Sequence, residues 1–167
     1  MKTTSAAELA ADEKRQRDRA AEHRTRSATF SAKAAEADRE LTALLAERGL
    51  DGALGALVLT AGLPVTVDVD RCDDLPVEMQ RAVWFTASEA VTNALKHAHA
   101  SRLRVSLRRT TTDLTVTIAD NGRGGLASPP ASLSRRVADG GGALHVESNG
   151  TGTLVSATFP LLAGAHA

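Results

Sequence analysis

The segment from about Pro76 to His99 is predicted to form an amphipathic helix, and any fold of this chain must bury one face of that helix. Its apolar residues recur at helical spacing and define a face that must be buried: Val83, Trp84, Ala87, Ala90, Val91, Ala94, Leu95 and Ala98. Its polar residues fall on the opposite side, namely Glu89, Asn93, Lys96 and His97. A helix that buries one face and presents several polar groups on the other has the arrangement that a ligand-binding helix needs. Pro76 suits the helix start, and Asp74 is a candidate cap.

Alternating sequences on both sides of this helix predict strands. Residues 65–69 alternate before it, and residues 103–107 and 114–118 alternate after it, with a turn at 110–113. A short helix at 133–139 and a last pair of strands at 143–148 and 153–159 complete the pattern. The order of elements therefore predicts an α/β fold.

The first 40 residues differ in composition from the rest of the chain. They are rich in Ala and densely charged, and Met1, Leu9 and Phe30 are nearly their only large apolar groups. Ala, Glu, Arg and Lys favour a helix, but such a segment buries little by itself, so we expect a helical or partly disordered arm. An apolar stripe begins at Leu41. We expect an arm at 1–40, one domain at 41–160 and a tail at 161–167.

Charge and cysteine content exclude several classes of function. The formal net charge is zero, which gives no bulk attraction to nucleic acid or to an anionic membrane. We interpret the local basic group Arg102, Arg104, Arg108 and Arg109 as a solvated strand edge. The single cysteine, Cys72, rules out an internal disulfide and fits a reducing compartment. No apolar stretch is long enough to span a bilayer, so we expect a cytoplasmic chain, either alone or as the soluble part of a membrane-bound sensor.

Glu89 and Asn93 lie one helical turn apart on the polar face of the long helix. A carboxamide oxygen is a neutral ligand for Mg²⁺, which keeps several waters while it bridges phosphates. A carboxylate one turn earlier can polarise a nucleophile or a metal-bound water. Taken alone, the pair is better explained as two exposed polar residues on a surface helix.

A second polar motif, Asp120-Asn121-Gly122-Arg123-Gly124-Gly125, follows the predicted strand at 114–118. A carboxylate at a strand end can accept a hydrogen bond from an exocyclic amine such as adenine N6. The glycines Gly122, Gly124 and Gly125 would let the backbone approach a ligand or would allow a mobile loop. Taken alone, Asp-Asn-Gly is also a common turn.

The two motifs together, in the order helix, hairpin, glycine loop, helix and strand pair, resemble the ATP-binding domain of sensor histidine kinases. Residues 89–98, E-A-V-T-N-A-L-K-H-A, resemble the N box of that family, and residues 120–125 resemble its G1 box. The resemblance covers roughly residues 41–160, lies within the superfamily shared with gyrase, Hsp90 and MutL, and is strongest to nitrate- and DegS-type sensors. It implies a two-layer sandwich, with a mixed sheet covered on one face by helices and an N-terminal helical arm.

The resemblance also implies roles, ligands and partners. Asn93 would coordinate Mg²⁺, and Glu89 would act as the base or orienting acid for phosphoryl transfer from ATP. Asp120 would bind the adenine amine with support from Thr153, and Lys96 and His97 would lie near the phosphates. Positioning and charge neutralisation would carry most of the transfer. The implied partner is a response regulator or a histidine phosphotransfer domain, and the N-terminal helix would be a dimerisation element.

Two features depart from the family pattern. Its glycine-rich G2 box closes a lid over the nucleotide, but residues 127–132 read A-S-P-P-A-S, with no glycine and with two prolines that remove amide donors. The family's phosphoacceptor histidine is also missing, because the only upstream histidine, His23, is followed by Arg24 and lacks the apolar seam of a helical bundle. The remaining histidines His99, His145 and His166 lack the spacing of a metal site.

Three functions therefore stay open. The first is the ATP-binding catalytic domain of a sensor histidine kinase, which transfers the γ-phosphate to a histidine on a separate or missing dimerisation domain. The second is a degenerate, non-catalytic regulator of the same fold that acts by binding a protein. The third is an anti-sigma serine kinase of the same superfamily, although residues 143–153 are more similar to sensor kinases. No G-x-x-x-x-G-K-[ST] sequence is present, which argues against a P-loop NTPase.

Overall fold

A computed structural model of the protein describes residues 6–72, 74–126 and 128–161. The tail from residue 162, with His166, and Ala127 of the predicted lid lie outside the described residues. His23 lies in a helix, but its side chain is likewise not among those described.

The chain divides into two compact units, Met1–Leu41 and Thr42–Ala167. Helix α1, Ala6–Leu59, supplies the described part of the first unit and continues into the second. Its regular geometry is broken at Gly49, where φ is 66° and ψ is 179°. Only glycine adopts that backbone conformation without strain, so Gly49 is where the chain turns between two helical segments.

The second unit contains one five-stranded sheet. Its strands are β1 (Val65–Val69), β2 (Leu103–Arg109), β3 (Asp113–Asp120), β4 (Ala143–Asn149) and β5 (Gly152–Pro160). The spatial order is β1-β2-β3-β5-β4, in which β1 and β2 are parallel and the other pairs are antiparallel. The predicted mixed sheet is confirmed. The β2–β3 and β4–β5 hairpins supply two antiparallel pairs, β3 and β5 form the third, and a helical crossover supplies the parallel pair.

Two helices and a π-helical turn pack with this sheet. Helix α2 (Val77–Asn93) leads directly into a π-helical turn at Ala94–Ala98, and helix α3 (Ala131–Asp139) lies between β3 and β4 in the chain. Helix α2 contacts β3, β5 and α3, which places it over the centre of the sheet. The fold is the predicted α/β arrangement of a mixed sheet with helices.

The core follows the alternation that the sequence predicts. Alternate residues of the central strands are buried and oppose one another in register, as Leu114 opposes Phe159 and Val116 opposes Ala157. The apolar face of α2 is buried as well, at Ala82, Val83, Thr86, Ala87, Ala90 and Val91. Thr86 satisfies its hydroxyl by donating to the carbonyl of Ala82 at 2.8 Å, so a polar residue is tolerated there.

Two local expectations are wrong. Strand β2 is not an edge strand, because β1 and β3 flank it. Two of its three arginines are also in ion pairs: Arg108 binds Asp68 and Asp70, and Arg109 binds Asp74. Asp74 therefore forms an ion pair with Arg109 and does not cap α2. The N-cap residue of α2 is Pro76, and no side-chain hydrogen bond caps the helix there.

Candidate functional site

A cavity of about 430 Å³ opens between the end of α2, the ends of β3 and β5 and the start of α3. Most of the residues predicted from the two motifs line it: Asn93, His97, Asp120, Gly124, Gly125 and Thr153. Apolar side chains supply much of the remaining wall, at Ala90, Ile118, Leu126, Leu133 and Val155. The volume and the mixture of apolar walls with a few polar groups are typical of small-molecule sites.

The end of α2 is shaped by the π-helical turn at Ala94–Ala98. The turn ends at His99, whose left-handed backbone has φ 52° and ψ 40°. The carbonyls of His97 and Ala98 accept hydrogen bonds from Arg123, through its Nε at 3.1 Å and its backbone N–H at 2.9 Å. The turn therefore gives the 121–125 loop a place to dock, in agreement with the frequent occurrence of π-turns at functional sites.

Asp120 is the last residue of β3 and presents its carboxylate at the cavity. Its Oδ1 accepts the backbone N–H of Gly122 at 2.7 Å, which closes a tight turn. Among the described residues, Oδ2 has no hydrogen-bond partner. One oxygen therefore shapes the loop and the other is available to a ligand.

Thr153 lies next to Asp120, because the two residues are directly opposed in the register of β3 and β5. Its Oγ1 is 3.1 Å from the Oγ of Ser148 on β4. The Oγ of Ser148 also accepts the backbone N–H of Leu126 at 3.1 Å. A short hydroxyl chain thus connects the floor of the cavity to the loop that covers it.

The glycines of the second motif are required chiefly by backbone packing. A Cβ on Gly122 would lie 2.4 Å from the carbonyl oxygen of Ala98, and Gly122 does not line the cavity. Gly124 has φ 62°, and a Cβ there would lie 1.7 Å from the carbonyl oxygen of Asn149. Gly125 has φ 90° but faces open space. The loop is therefore held in one path by close backbone contacts at Gly122 and Gly124.

Asn121 also fixes the loop, and its role was not predicted from the sequence. Its Oδ1 accepts the backbone N–H groups of Ser101 at 3.0 Å and Arg102 at 2.8 Å. Its Nδ2 donates to the hydroxyl of Ser101 at 3.0 Å. These bonds tie the loop to the segment that enters β2, so Asn121 positions Asp120 without lining the cavity.

Glu89 and Lys96 lie outside the cavity lining. Lys96 is exposed. Glu89 is half-buried and accepts a hydrogen bond from the hydroxyl of Ser132, with 2.6 Å between Oγ and Oε1. Of the predicted pair on α2, Asn93 therefore faces the cavity and Glu89 faces the start of α3.

Arg123 and Pro130 are among the lining residues for which the sequence predicted no contact with a ligand. Arg123 contributes a cation within the second motif, and Pro130 forms part of the wall. The sequence suggested only that the proline removes an amide donor. The structure adds that Pro130 takes part in the apolar surface of the cavity beside Leu133.

The residues present fit an adenine nucleotide with a shared Mg²⁺ ion. Asp120 has an oxygen free for an amine, and Asn93 brings a carboxamide to the same cavity. Over the part of the chain that the structure describes, no group of three or more His, Cys, Asp or Glu could hold a metal ion. A single carboxamide ligand suits Mg²⁺, because that ion is usually shared with phosphates and water.

Part of the chain that lines this cavity is similar to a known family. The family model described as histidine kinase-, DNA gyrase B- and HSP90-like ATPase matches residues 80–127, which span α2 and the 121–125 loop. A curated relative, blue-light-activated histidine kinase 2 of Erythrobacter litoralis, is 34% identical over 113 residues. That alignment covers 59% of this chain and 32% of the relative, so this chain spans about a third of that protein.

Solved structures of histidine kinases are similar to this chain as well. The histidine kinase domain of the Erythrobacter litoralis EL346 blue-light-activated histidine kinase is 32% identical, with a TM-score of 0.56 over 67% of this chain and 65% of that one. The Acinetobacter baumannii histidine kinase AdeS is 17% identical, with a TM-score of 0.52 over 73% of this chain and 65% of that one, and supports the fold alone. None of the described helices is both long enough and apolar enough to cross a membrane. Residues 80–127 are therefore similar to the histidine kinase-, DNA gyrase B- and HSP90-like ATPase family, and the chain is similar to blue-light-activated histidine kinases of Erythrobacter litoralis.

Proposed function

We propose that this chain is the ATP-binding catalytic domain of a two-component sensor histidine kinase. It would transfer the γ-phosphate of ATP to a histidine on a separate dimerisation domain. The observation that carries the proposal is the convergence of Asn93, Asp120 and Thr153 on one cavity with apolar walls. In this proposal residues 41–160 form the ATPase domain, residues 1–40 are an arm that pairs with a second helix, and residues 161–167 are a tail.

The proposed roles of the lining residues are supported by their place at the cavity, and those of Glu89 and Lys96 by the family resemblance. Oδ2 of Asp120 accepts the exocyclic amine of adenine, and Thr153 supports the same edge of the base. Asn93 holds Mg²⁺, which neutralises phosphate charge when bound, and His97 and Lys96 lie towards the phosphates. Glu89 orients the attacking group. The apolar walls exclude water, and most of the rate enhancement of phosphoryl transfer comes from positioning the reacting groups.

The proposal extends to partners and location. A domain of this kind passes its phosphate onward to a response regulator or to a histidine phosphotransfer domain. Residues 89–98 support a nitrate- or DegS-type sensor as the subfamily. The single cysteine, Cys72, is free and buried, which suits the reducing cytoplasm where ATP is found.

A second candidate is a non-catalytic regulator of the same fold. Pro129 and Pro130 favour it, because neither can donate an amide hydrogen bond to a phosphate. Such a protein would keep the cavity and act by binding a protein partner. The free oxygen of Asp120 and the cavity-facing Asn93 favour the catalytic reading, since a scaffold has no need of both.

Calorimetric titration of the chain with ATP, with and without Mg²⁺, tests the proposal. We expect saturable binding that Mg²⁺ strengthens. The absence of binding at millimolar ATP would refute the nucleotide site and favour the regulator. Magnesium-dependent binding without phosphate transfer to any histidine-bearing domain of the same organism would leave the fold correct and the kinase activity wrong.

A further inference from the structure

Ser132 joins the two helices that flank the cavity. It is the second residue of α3, and its hydroxyl donates to Oε1 of Glu89 on α2 across 2.6 Å. A hydrogen bond of this length from a hydroxyl to a carboxylate is charge-assisted and stronger than one between neutral groups. The pair is separated by 43 residues in the chain, so the fold itself brings the two groups together.

Glu89 depends on this bond. Among the described residues, its carboxylate has no other hydrogen bond and no ion pair. Without that donor no hydrogen bond from the described residues fixes the terminal torsion of the carboxylate, which is intrinsically broad. Because the bond engages Oε1, the remaining oxygen, Oε2, is the one available to another group.

Ser132 is itself held in place by the wall of the cavity. Pro130 and Leu133, on either side of it, both line the cavity, and Leu133 is completely buried. Helix α3 also contacts α2 and β4. The hydroxyl therefore sits on a fixed backbone, and it is connected to the same surface that a bound nucleotide would touch.

We propose that Ser132 is a positioning residue for Glu89. It holds Oε1 so that Oε2 is presented to the attacking group during phosphoryl transfer, and it does not itself contact the reacting atoms. The inference rests on the proposed function, because it requires that Glu89 act in the transfer. Outer hydrogen bonds that orient a functional side chain typically contribute ten- to a hundredfold, so loss of this one would reduce turnover by about tenfold or more.

The test measures phosphate release from Mg-ATP by the full chain and by three variants. Ser132→Ala should lower kcat by about tenfold and leave KM and calorimetric ATP affinity nearly unchanged. Ser132→Thr keeps the hydroxyl and should restore kcat. Ser134→Ala is the matched control, since Ser134 lies on the same helix and its hydroxyl has no partner in the described structure.

A double variant separates positioning from a general effect on folding. In a Glu89→Ala background, Ser132→Ala should cause no further loss of kcat, because the group it orients is gone. Additive losses would overturn the inference. So would a change confined to KM, which would indicate that the bond only closes the mouth of the cavity.

The remaining outcomes distinguish this inference from the proposed function. If the wild-type chain binds no ATP, the nucleotide site itself is refuted. If the wild-type chain binds and turns over Mg-ATP, and the Ser132→Ala variant has the same kcat, the inference alone is wrong. If the wild-type chain binds Mg-ATP but neither releases phosphate nor transfers it to an added histidine-bearing dimerisation domain, a role for Glu89 in transfer is refuted, and the inference with it.

Discussion

Asp120 and Thr153 face each other across strands β3 and β5, so a carboxylate and a hydroxyl share the floor of the cavity. Side chains that oppose one another in an antiparallel pair lie on the same face of the sheet. The two residues are 33 positions apart in sequence and belong to different hairpins, and the sheet alone brings them together. This pairing is the basis for the adenine-binding role that we propose.

The first prediction concerns the free oxygen of Asp120. Asp120→Asn keeps Oδ1 as acceptor for Gly122 but replaces the free oxygen with an N–H donor, which opposes the donating amine of adenine. We expect ATP affinity to fall by roughly a hundredfold, while the free energy of unfolding changes by less than about 0.5 kcal/mol. Titration calorimetry and denaturant unfolding measure the two quantities.

Asp113→Ala, at the other end of β3, is the matched control for charge and should bind ATP normally. Asp120→Ala should also abolish binding while the fold is retained. Unchanged ATP affinity in either Asp120 variant would remove Asp120 from the site.

The second prediction concerns Asn93. If its carboxamide holds Mg²⁺, Asn93→Ala should weaken Mg-ATP binding by roughly tenfold or more and should change metal-free ATP binding much less. Titrations with Mg²⁺ and with EDTA provide the comparison. Equal losses under both conditions would show that Asn93 contacts the nucleotide or the fold, and not the metal.

The third prediction concerns Gly124. A Cβ there would overlap the carbonyl oxygen of Asn149, and its positive φ is strained for any other residue. We expect Gly124→Ala to lower the free energy of unfolding by more than about 2 kcal/mol, because the loop or β4 must move.

The matched control is Gly150→Ala, in the neighbouring turn, where an added Cβ would meet nothing within 4 Å. It should change stability by less than about 0.5 kcal/mol. If the two variants were equally stable in denaturant unfolding, the close approach of the loop to β4 would be wrong.

The fourth prediction concerns pH. The hydrogen bond from Arg108 lowers the pKa of Asp68 below its ordinary value, and desolvation opposes this effect only in part. A lowered folded-state pKa means that the stabilisation is present above the unfolded value, about 3.9, and is lost as pH falls through the folded value. Arg108→Ala should raise the pKa of Asp68 towards 3.8.

Carboxyl chemical shifts measured by NMR titration follow this change directly. Arg104→Ala provides the graded comparison, because Arg104 lowers the same pKa through a weaker Coulombic effect. A larger shift in the Arg104 variant than in the Arg108 variant would contradict the observed pairing.

The sequence predicted the elements of this fold because each carries a local period. Residues 65–69 match β1, and the alternation at 103–107 and 114–118 lies within β2 and β3. Their neighbours in the sheet are set by pairing between distant segments, so the interior position of β2 could not be read from the arginines it carries. The same limit explains Asp74, whose partner Arg109 is 35 residues away.

The candidate site was predicted in outline for a similar reason. Two short motifs located Asn93 and Asp120, the family resemblance added Thr153, and the structure brings all three to one cavity. The π-helical turn, the Ser132–Glu89 bond and the wall position of Pro130 were not predicted. The Ser132–Glu89 bond and the position of Pro130 arise from contacts between segments that are not neighbours in the chain, and composition and periodicity carry no signal for such contacts.

The parallel pairing of β1 with β2 has a consequence for the order of folding. Val65 pairs with Leu103, whereas the β2–β3 and β4–β5 hairpins pair residues that are close in sequence. Closing the longer loop between β1 and β2 loses more chain entropy. We therefore expect the two hairpins to form first and β1 to join the sheet last. As an outer strand that joins late, β1 should open most readily in the native state and exchange its amide hydrogens fastest in the sheet.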